Sequence, residues 1–366
     1  MVPADGIPES RVSLPGRLEN VAVVRSPRLD TSLLLCVACG LIVNSHLEAF
    51  WPRSFLAVDG LLGNSMFYLL SGFGIGSSLL ARPQRFGPFL ARRLVRIYPA
   101  VIITVLLLVG IVGGHAFRSV DGVPAWSVGE AFHSLIWPTP FTYVRNIIVI
   151  YVIGYIVAWP RSTTVLSAAL VAMIGFFLAA CASHAAGLAP DAKLALGSLP
   201  VGVYDAFDTA LFLGGMSIAG ARRFPVRGGA VNATLAALLC IAYFAFKYVM
   251  VVTGVGAAFY PLLFVLVAAV SYLALGVLSD PLVIEPLKRI PWLGSSIDLV
   301  ASHTLEIYVV HQVVISTCGG LAGIPFPINI ALLVLISIAG AALLQRLTAP
   351  LRRWVDAITG PVATGA

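Results

Sequence analysis

Charged residues are scarce in this sequence, and their scarcity sets the class of protein. Only 11% of the 366 residues are Asp, Glu, Lys or Arg, whereas 59% are hydrophobic. Soluble domains carry about 25% charged residues. This composition excludes a soluble enzyme, a disordered chain and a nucleic-acid-binding domain. The mean hydropathy of +0.96 predicts a polytopic membrane protein.

Cysteine and metal-ligand motifs are also scarce. The five cysteines are an odd number, and all of them lie in apolar stretches, so no disulfide framework is expected. The segment with His303, Glu306 and His311 lacks the ligand spacing of a metal site, and no metal is predicted. His303 and Glu306 are three residues apart in one predicted span, a spacing at which their side chains can form a hydrogen bond.

Long apolar runs predict about ten transmembrane helices, since a helix needs about 20 apolar residues to cross a bilayer. They cover residues 31–50, 58–80, 97–114, 144–159, 163–185, 204–221, 230–250, 256–278, 296–318 and 327–346. The runs lack the alternation of barrel strands. The predicted fold is therefore all-α, a polytopic integral membrane helical bundle.

The basic residues predict the orientation of this bundle. With a cytoplasmic N-terminus, the outer segments hold only Arg53, Arg118, Arg145, Lys193 and Lys247 of the 23 basic residues. Lys and Arg concentrate on the cytoplasmic side of membrane proteins. Both termini are therefore predicted to be cytoplasmic, as tails at 1–29 and 348–366 around a membrane domain at 30–347. The net charge of +7 then needs no nucleic-acid partner.

Two features favour catalysis or ligand binding. His46 lies near the outer end of the first predicted span, where an imidazole is suited to proton exchange near neutral pH. Arg93 and Arg96 share a helix face at the cytoplasmic mouth of the third span, where guanidinium groups suit phosphates. The alternatives are an interfacial histidine and a pair of topology-setting arginines.

Small residues in the second span predict close helix packing. Gly72 and Gly76 form a small-xxx-small face. The surrounding glycines lack the preceding strand and following acidic residue of a dinucleotide site.

Taken in order, these segments resemble the acyltransferase-3 family of integral-membrane acyltransferases. The resemblance is carried by four elements: Leu29-Asp30 leading to His46, the stretch Gly63–Phe73, Arg93-Leu94-Val95-Arg96 with Ile97-Tyr98-Pro99, and Leu305-Glu306-Ile307-Tyr308 with His311. The family has Arg or Lys eleven residues before the histidine, and this chain has Leu35. Either Arg28, the nearest basic residue on that side, replaces this cation from deeper in the cytoplasmic mouth, or the site works without it.

The resemblance implies a bacterial inner-membrane O-acetyltransferase of exopolysaccharide biosynthesis, similar to the xanthan-type subgroup. His46 would be the general base, and Arg93 and Arg96 would bind the donor. Asn44, Ser71, Glu306 and Tyr308 would support the site. No bound cofactor is expected. The expected partners are acetyl-CoA as co-substrate, a carbohydrate acceptor with or without a lipid link, and membrane lipids. A transporter or flippase of a lipid-linked saccharide is the alternative.

Overall fold

A computed structural model gives the structure of residues 29–82, 84–112, 128–137, 141–186, 201–221, 229–253 and 259–359. These ranges contain thirteen α-helices and no strand. The helices are α1 (Ser32–Ser45), α2 (Gly60–Ala81), α3 (Phe86–Val112), α4 (Val128–Ile136), α5 (Thr142–Ala158), α6 (Thr163–Ala186), α7 (Val201–Gly220), α8 (Ala230–Thr253), α9 (Tyr260–Leu278), α10 (Pro281–Lys288), α11 (Pro291–Ser302), α12 (Thr304–Thr317) and α13 (Ile328–Thr359). The predicted all-α class is confirmed.

Four of the described helices, α6, α8, α9 and α13, are long and apolar enough to cross a membrane. A fifth span results if α11 and α12, which are bent by 82° at His303, are counted together. Each of the ten predicted spans overlaps a helix, but α1 has 14 residues and α5 has 17. Both are shorter than the roughly 20 residues of a straight crossing. The number of ten and the orientation of the termini stay predictions.

The outer helices expose apolar side chains, as expected for a surface that faces lipid. Helices α6 and α8 are mostly exposed, whereas more than half of α9 is buried. Val171 and Ile241 keep 67% and 65% of their surface exposed. Soluble proteins rarely expose apolar patches of this extent. The arrangement fits a bundle whose inner helices carry the polar residues and whose outer helices meet hydrocarbon.

The basic stretch before the third predicted span is part of a helix. Helix α3 runs without interruption from Phe86 to Val112, so Arg93 and Arg96 lie within it. Helix α13 likewise continues beyond the predicted end of its span at residue 346 and ends at Thr359. Arg352, in this continuation, packs back onto the bundle.

Helices α2 and α7 approach each other through glycines. A Cβ atom added at Gly72 would lie 1.9 Å from the carbonyl oxygen of Phe212. One added at Gly215 would lie 2.0 Å from the carbonyl oxygen of Leu69. Gly76 meets the backbone of Met216 in the same way. The packing role predicted for Gly72 and Gly76 agrees with this geometry, because only glycine leaves room for the opposite backbone.

We expect Gly72→Ala to lower the thermal unfolding midpoint in detergent. The added methyl group meets backbone and not a movable side chain, so α2 and α7 must separate. Overpacking of this kind costs about 1–3 kcal/mol. Gly175→Ala in α6 is the matched control, because no atom lies within 4 Å of its added Cβ. Equal unfolding midpoints for the two variants would contradict the close approach.

Candidate active site

A cavity of about 570 Å³ opens among α1, α2, α3, α5 and α12. Its size lies within the range of about 300–1,000 Å³ that is usual for ligand pockets. Arg93 and Arg96 line it together with the start of the first helix at Leu29, Thr31 and Leu35. Most of the remaining wall is apolar or aromatic. Two of the predicted supporting residues, Ser71 and Tyr308, are also on the wall.

Arg93 and Arg96 bring two cations to this wall. The Arg93 guanidinium lies 5.7 Å from the ring centre of Phe89 and 5.9 Å from that of Tyr151. In the described ranges, no carboxylate forms a salt bridge with either arginine. The neighbouring Arg92 differs, since its guanidinium donates to the Gln84 side chain at 2.8 Å. Two cations without a carboxylate partner on a cavity wall make a binding surface for an anionic ligand.

A second set of charges lies beside Leu29 and Thr31 of the cavity wall. Asp30 accepts hydrogen bonds from the backbone and hydroxyl of Ser32, at 3.0 and 2.7 Å, and so fixes the start of α1. Lys288 bridges Asp30 and Asp298, at 2.8 and 2.7 Å. Partial burial by itself raises the pKa of Asp30, but the bonds from Lys288 and Ser32 outweigh it and leave that pKa below its ordinary value.

The inner wall of the cavity is a layer of hydroxyl groups. The Ser71 and Tyr143 hydroxyl groups are hydrogen-bonded at 3.0 Å. The backbone N–H of Tyr143 donates to the Tyr308 hydroxyl at 3.3 Å. Behind them, buried Asp208 accepts hydrogen bonds from Tyr68 and Asn146. Tyr143 was not singled out from the sequence, and its role emerges only from the meeting of α2, α5 and α12.

His46 lies at the other end of α1 from Leu29 and Thr31 of the cavity wall. It forms the C-cap of α1 and is exposed. Fifteen residues separate it from Thr31, which is about 22 Å along a helix. Its ring packs on that of His311, with ring centres 5.2 Å apart and planes inclined by 46°. His311 belongs to α12 and is only 1% exposed.

His311 connects the two ends of the site. Its ring centre lies 5.8 Å from that of Tyr308, which is on the cavity wall. Tyr308 and His311 are three residues apart on one helix and therefore share a face. The order through the bundle is thus the arginines, the hydroxyl layer, His311 and exposed His46. The sequence motif contains His311, but its contact with His46 was not predicted.

Asn44 acts on the loop after His46. Its amide nitrogen donates to the carbonyl oxygens of Leu56, at 2.8 Å, and Val58, and its oxygen accepts from the Trp51 indole at 2.8 Å. Asn44 therefore folds the segment 46–59 back over the end of α1. Asp59, which caps α2, continues this framework through Lys247 and Tyr243, each at 2.5 Å.

The side chain of Glu306 has a different partner from the one predicted. The carboxylate is 2% exposed and forms an ion pair with Arg352 of α13, not a hydrogen bond with His303. His303 ends α11 and bonds to the Leu299 carbonyl oxygen at 2.8 Å. The 82° bend removes the shared helix face on which the prediction depended. Arg352 also donates to the carbonyl oxygen of Arg96 at 3.3 Å, so Glu306 is linked to the arginine pair through Arg352.

We expect Glu306→Gln to lower the unfolding free energy by about 3 kcal/mol, because it leaves the partly buried Arg352 charge without a partner. Thermal unfolding in detergent measures this. Glu285→Gln is the control, since the Glu285–Arg289 pair is exposed and contributes at most about 1 kcal/mol. Replacing both Glu306 and Arg352 with Leu should recover most of the loss. A single variant as stable as the control would contradict the ion pair.

A helical membrane bundle that holds a cationic cavity at one end and paired imidazoles at the other has the parts of a transferase embedded in the membrane. The sequence profile of the acyltransferase-3 family, described as an acyltransferase domain, matches residues 33–346. The chain therefore belongs to this family and is a membrane acyltransferase. No curated protein and no solved structure matches the chain.

Proposed function

We propose that the protein moves an acetyl group from cytosolic acetyl-CoA to a sugar hydroxyl of an exopolysaccharide or another surface glycan. One observation carries this proposal. A cavity lined by two arginines adjoins, through Tyr308, a buried histidine that packs on the exposed His46. An anionic acyl donor can thus bind at the arginine end of this line of side chains, and a neutral hydroxyl acceptor can reach it at the His46 end.

The donor end suits coenzyme A in charge and in polarity. Arg93 and Arg96 offer guanidinium forks, which bind phosphate oxygens in pairs. The rest of the wall is largely apolar, with Phe67, Leu70 and Ile147 among its residues. It suits the less polar arm that carries the thioester. Leu35, in place of the family's cation, extends this apolar wall and leaves phosphate binding to the two arginines.

The acceptor end suits a hydroxyl group that arrives from outside the bundle. His46 is exposed, and its imidazole is the side chain best suited to take a proton near neutral pH. Removal of the hydroxyl proton makes the oxygen a stronger nucleophile toward the acyl carbon. The short loop held by Asn44 keeps this histidine at the end of α1.

The proposed orientation has the arginine end in the cytosol and the His46 end outside, in a bacterial inner membrane with ten crossings. In a variant without the five native cysteines, we expect Ala49→Cys, but not Gly87→Cys, to react with a membrane-impermeant thiol reagent in intact cells. Both positions are exposed, and they lie in the loop after His46 and at the start of α3. The reverse labelling would place the donor site outside and contradict the use of cytosolic acetyl-CoA.

A direct test uses the purified full chain in proteoliposomes with radiolabelled acetyl-CoA. We expect label to pass to a membrane-derived glycan fraction, or slowly to water when no acceptor is present. Structural analysis of surface polysaccharide from a deletion strain, with and without the restored gene, identifies the hydroxyl. A deletion strain with unchanged O-acetylation, together with a purified protein that leaves acetyl-CoA intact, would contradict the proposal and favour a transporter.

A further inference from the structure

The two ring nitrogens of His311 have different surroundings. Nδ1 lies 3.1 Å from the carbonyl oxygen of Ile307, one turn earlier in α12. A carbonyl oxygen only accepts, so Nδ1 carries the proton and donates it. Nε2 then has a free lone pair. This atom is buried and has no hydrogen-bond partner in the described part of the chain.

An unpartnered buried nitrogen is costly and calls for a reason. Leaving a buried polar atom without a partner costs about 1–3 kcal/mol. An aliphatic side chain at this position would avoid the cost. The bond from Nδ1 to Ile307 fixes the tautomer in which Nε2 is nucleophilic. A neutral imidazole with a buried, unpartnered Nε2 is arranged for reaction with an electrophile.

The position of His311 between the cavity and His46 makes an acyl group the expected reaction partner of Nε2. Tyr308, one turn away in α12, lies on the wall of the cavity and contacts the ring of His311. The ring of His46 also packs on that of His311. His311 therefore lies between Tyr308 of the cavity wall and exposed His46. The donor and acceptor ends are about 20 Å apart along α1, so the acceptor does not need to enter the donor cavity if the acyl group is held between them.

We propose that His311 is a covalent acyl carrier, which accepts the acyl group from the thioester donor and gives it to the acceptor hydroxyl. This inference rests on the proposed function and adds an intermediate to it. His46 then serves the second half of the reaction alone. His311 is a catalytic residue in this scheme because its Nε2 forms a bond with the acyl carbon.

The two half-reactions balance in atoms and electrons. In the first, the Nε2 lone pair attacks the thioester carbonyl carbon, an N–C bond forms, and the C–S electron pair leaves on sulfur as a thiolate. Nδ1 keeps its proton, so the acylated ring of His311 is cationic. In the second, the acceptor oxygen attacks the same carbon, its proton passes to His46, and the C–N electron pair returns to Nε2. His46 loses that proton to water, and the thiolate takes one up from water. The products are an ester and a thiol.

The test uses the purified full chain with acyl-labelled acetyl-CoA, rapid acid quenching and protein-bound label as the readout. His46→Ala should accumulate labelled protein in the presence of acceptor, because the second half-reaction is blocked. The label should be released by hydroxylamine and should map to the peptide that contains His311. Adding His311→Asn to His46→Ala should reduce the label to background. The Asn amide keeps a donor near the position of Nδ1, so the bond to Ile307 is preserved while Nε2 is removed.

Two controls separate folding and function from the carrier step. The binding of a non-hydrolysable acetyl-CoA analogue should be unchanged in His311→Asn, since the arginines are intact. His133→Ala, at an exposed histidine of α4, should behave as the unaltered protein. Active unaltered protein with no label in His46→Ala, or label on another residue, overturns the carrier role alone. Unaltered protein that neither transfers nor hydrolyses acyl thioester overturns the proposed function itself.

Discussion

His46→Ala is expected to lower the rate of acyl transfer by about 10²–10⁴-fold, which is the usual loss when a general base is removed. The residue lies at the exposed end of the line that runs from the cavity through His311. The dissociation constant of the donor should not change, because the arginines proposed to bind it lie at the other end of α1. Measurement of kcat with labelled acetyl-CoA and a glycan acceptor, together with direct binding of a non-hydrolysable donor analogue, separates these two effects.

The control for this prediction keeps the surroundings of His46 intact. Glu48→Gln removes a charge from the same exposed segment and should leave kcat within about twofold, because exposed substitutions of this kind have small effects. Expression level and unfolding midpoint should match in both variants. If His46→Ala retained near-normal transfer, the base would have to be another group, and the proposed assignment of the acceptor end would be wrong.

The second large effect is expected at the donor end. Arg93→Ala and Arg96→Ala should each raise the KM for acetyl-CoA by about 10- to 150-fold, which corresponds to the loss of about 1.5–3 kcal/mol from one charge-assisted contact. Substitution with Lys should restore only part of the affinity, because a point charge cannot reproduce the two parallel bonds of a guanidinium group. Measurement of KM and of direct donor binding distinguishes these outcomes.

Arg85→Ala is the matched control for the arginine pair. Arg85 is exposed just before α3, carries the same charge and is absent from the cavity wall. Its removal should leave the KM unchanged, although it weakens the basic character of the segment to the same extent. If the Arg93 and Arg96 variants bound donor normally but were inserted in the opposite orientation, the two residues would be topology determinants and not ligands.

Several predictions from the sequence concern features that depend only on neighbouring residues. Each predicted apolar run overlaps a helix, because a helix in lipid satisfies its own backbone hydrogen bonds within one segment. Arg93 and Arg96 lie on one face because α3 is continuous through both. The family profile matches residues 33–346 for a similar reason, because the family's motifs are short runs of neighbouring residues in a fixed order.

The predicted hydrogen bond between Glu306 and His303 was wrong for a reason that the local sequence does not reveal. Spacing of three residues joins two side chains only where the helix is unbroken, and the chain bends at His303. The carboxylate of Glu306 therefore contacts Arg352, which belongs to α13. The predicted span ended at residue 346, six residues before Arg352. Nothing in the apolar pattern of α13 indicated that its polar continuation packs onto α3.

The sequence by itself determined that this chain is a helical membrane protein of the acyltransferase-3 family with a basic pair on one helix face. Tertiary structure alone decided that His311 meets His46, that Tyr143 joins Ser71 and Tyr308, and that Arg352 meets Glu306. Hydropathy and helical spacing follow from residues close in the chain. Contacts between helices depend on the shapes of the helix surfaces, because these decide which helices can pack closely. At Gly72 and Gly215, for example, the absence of a side chain lets the backbones of α2 and α7 meet.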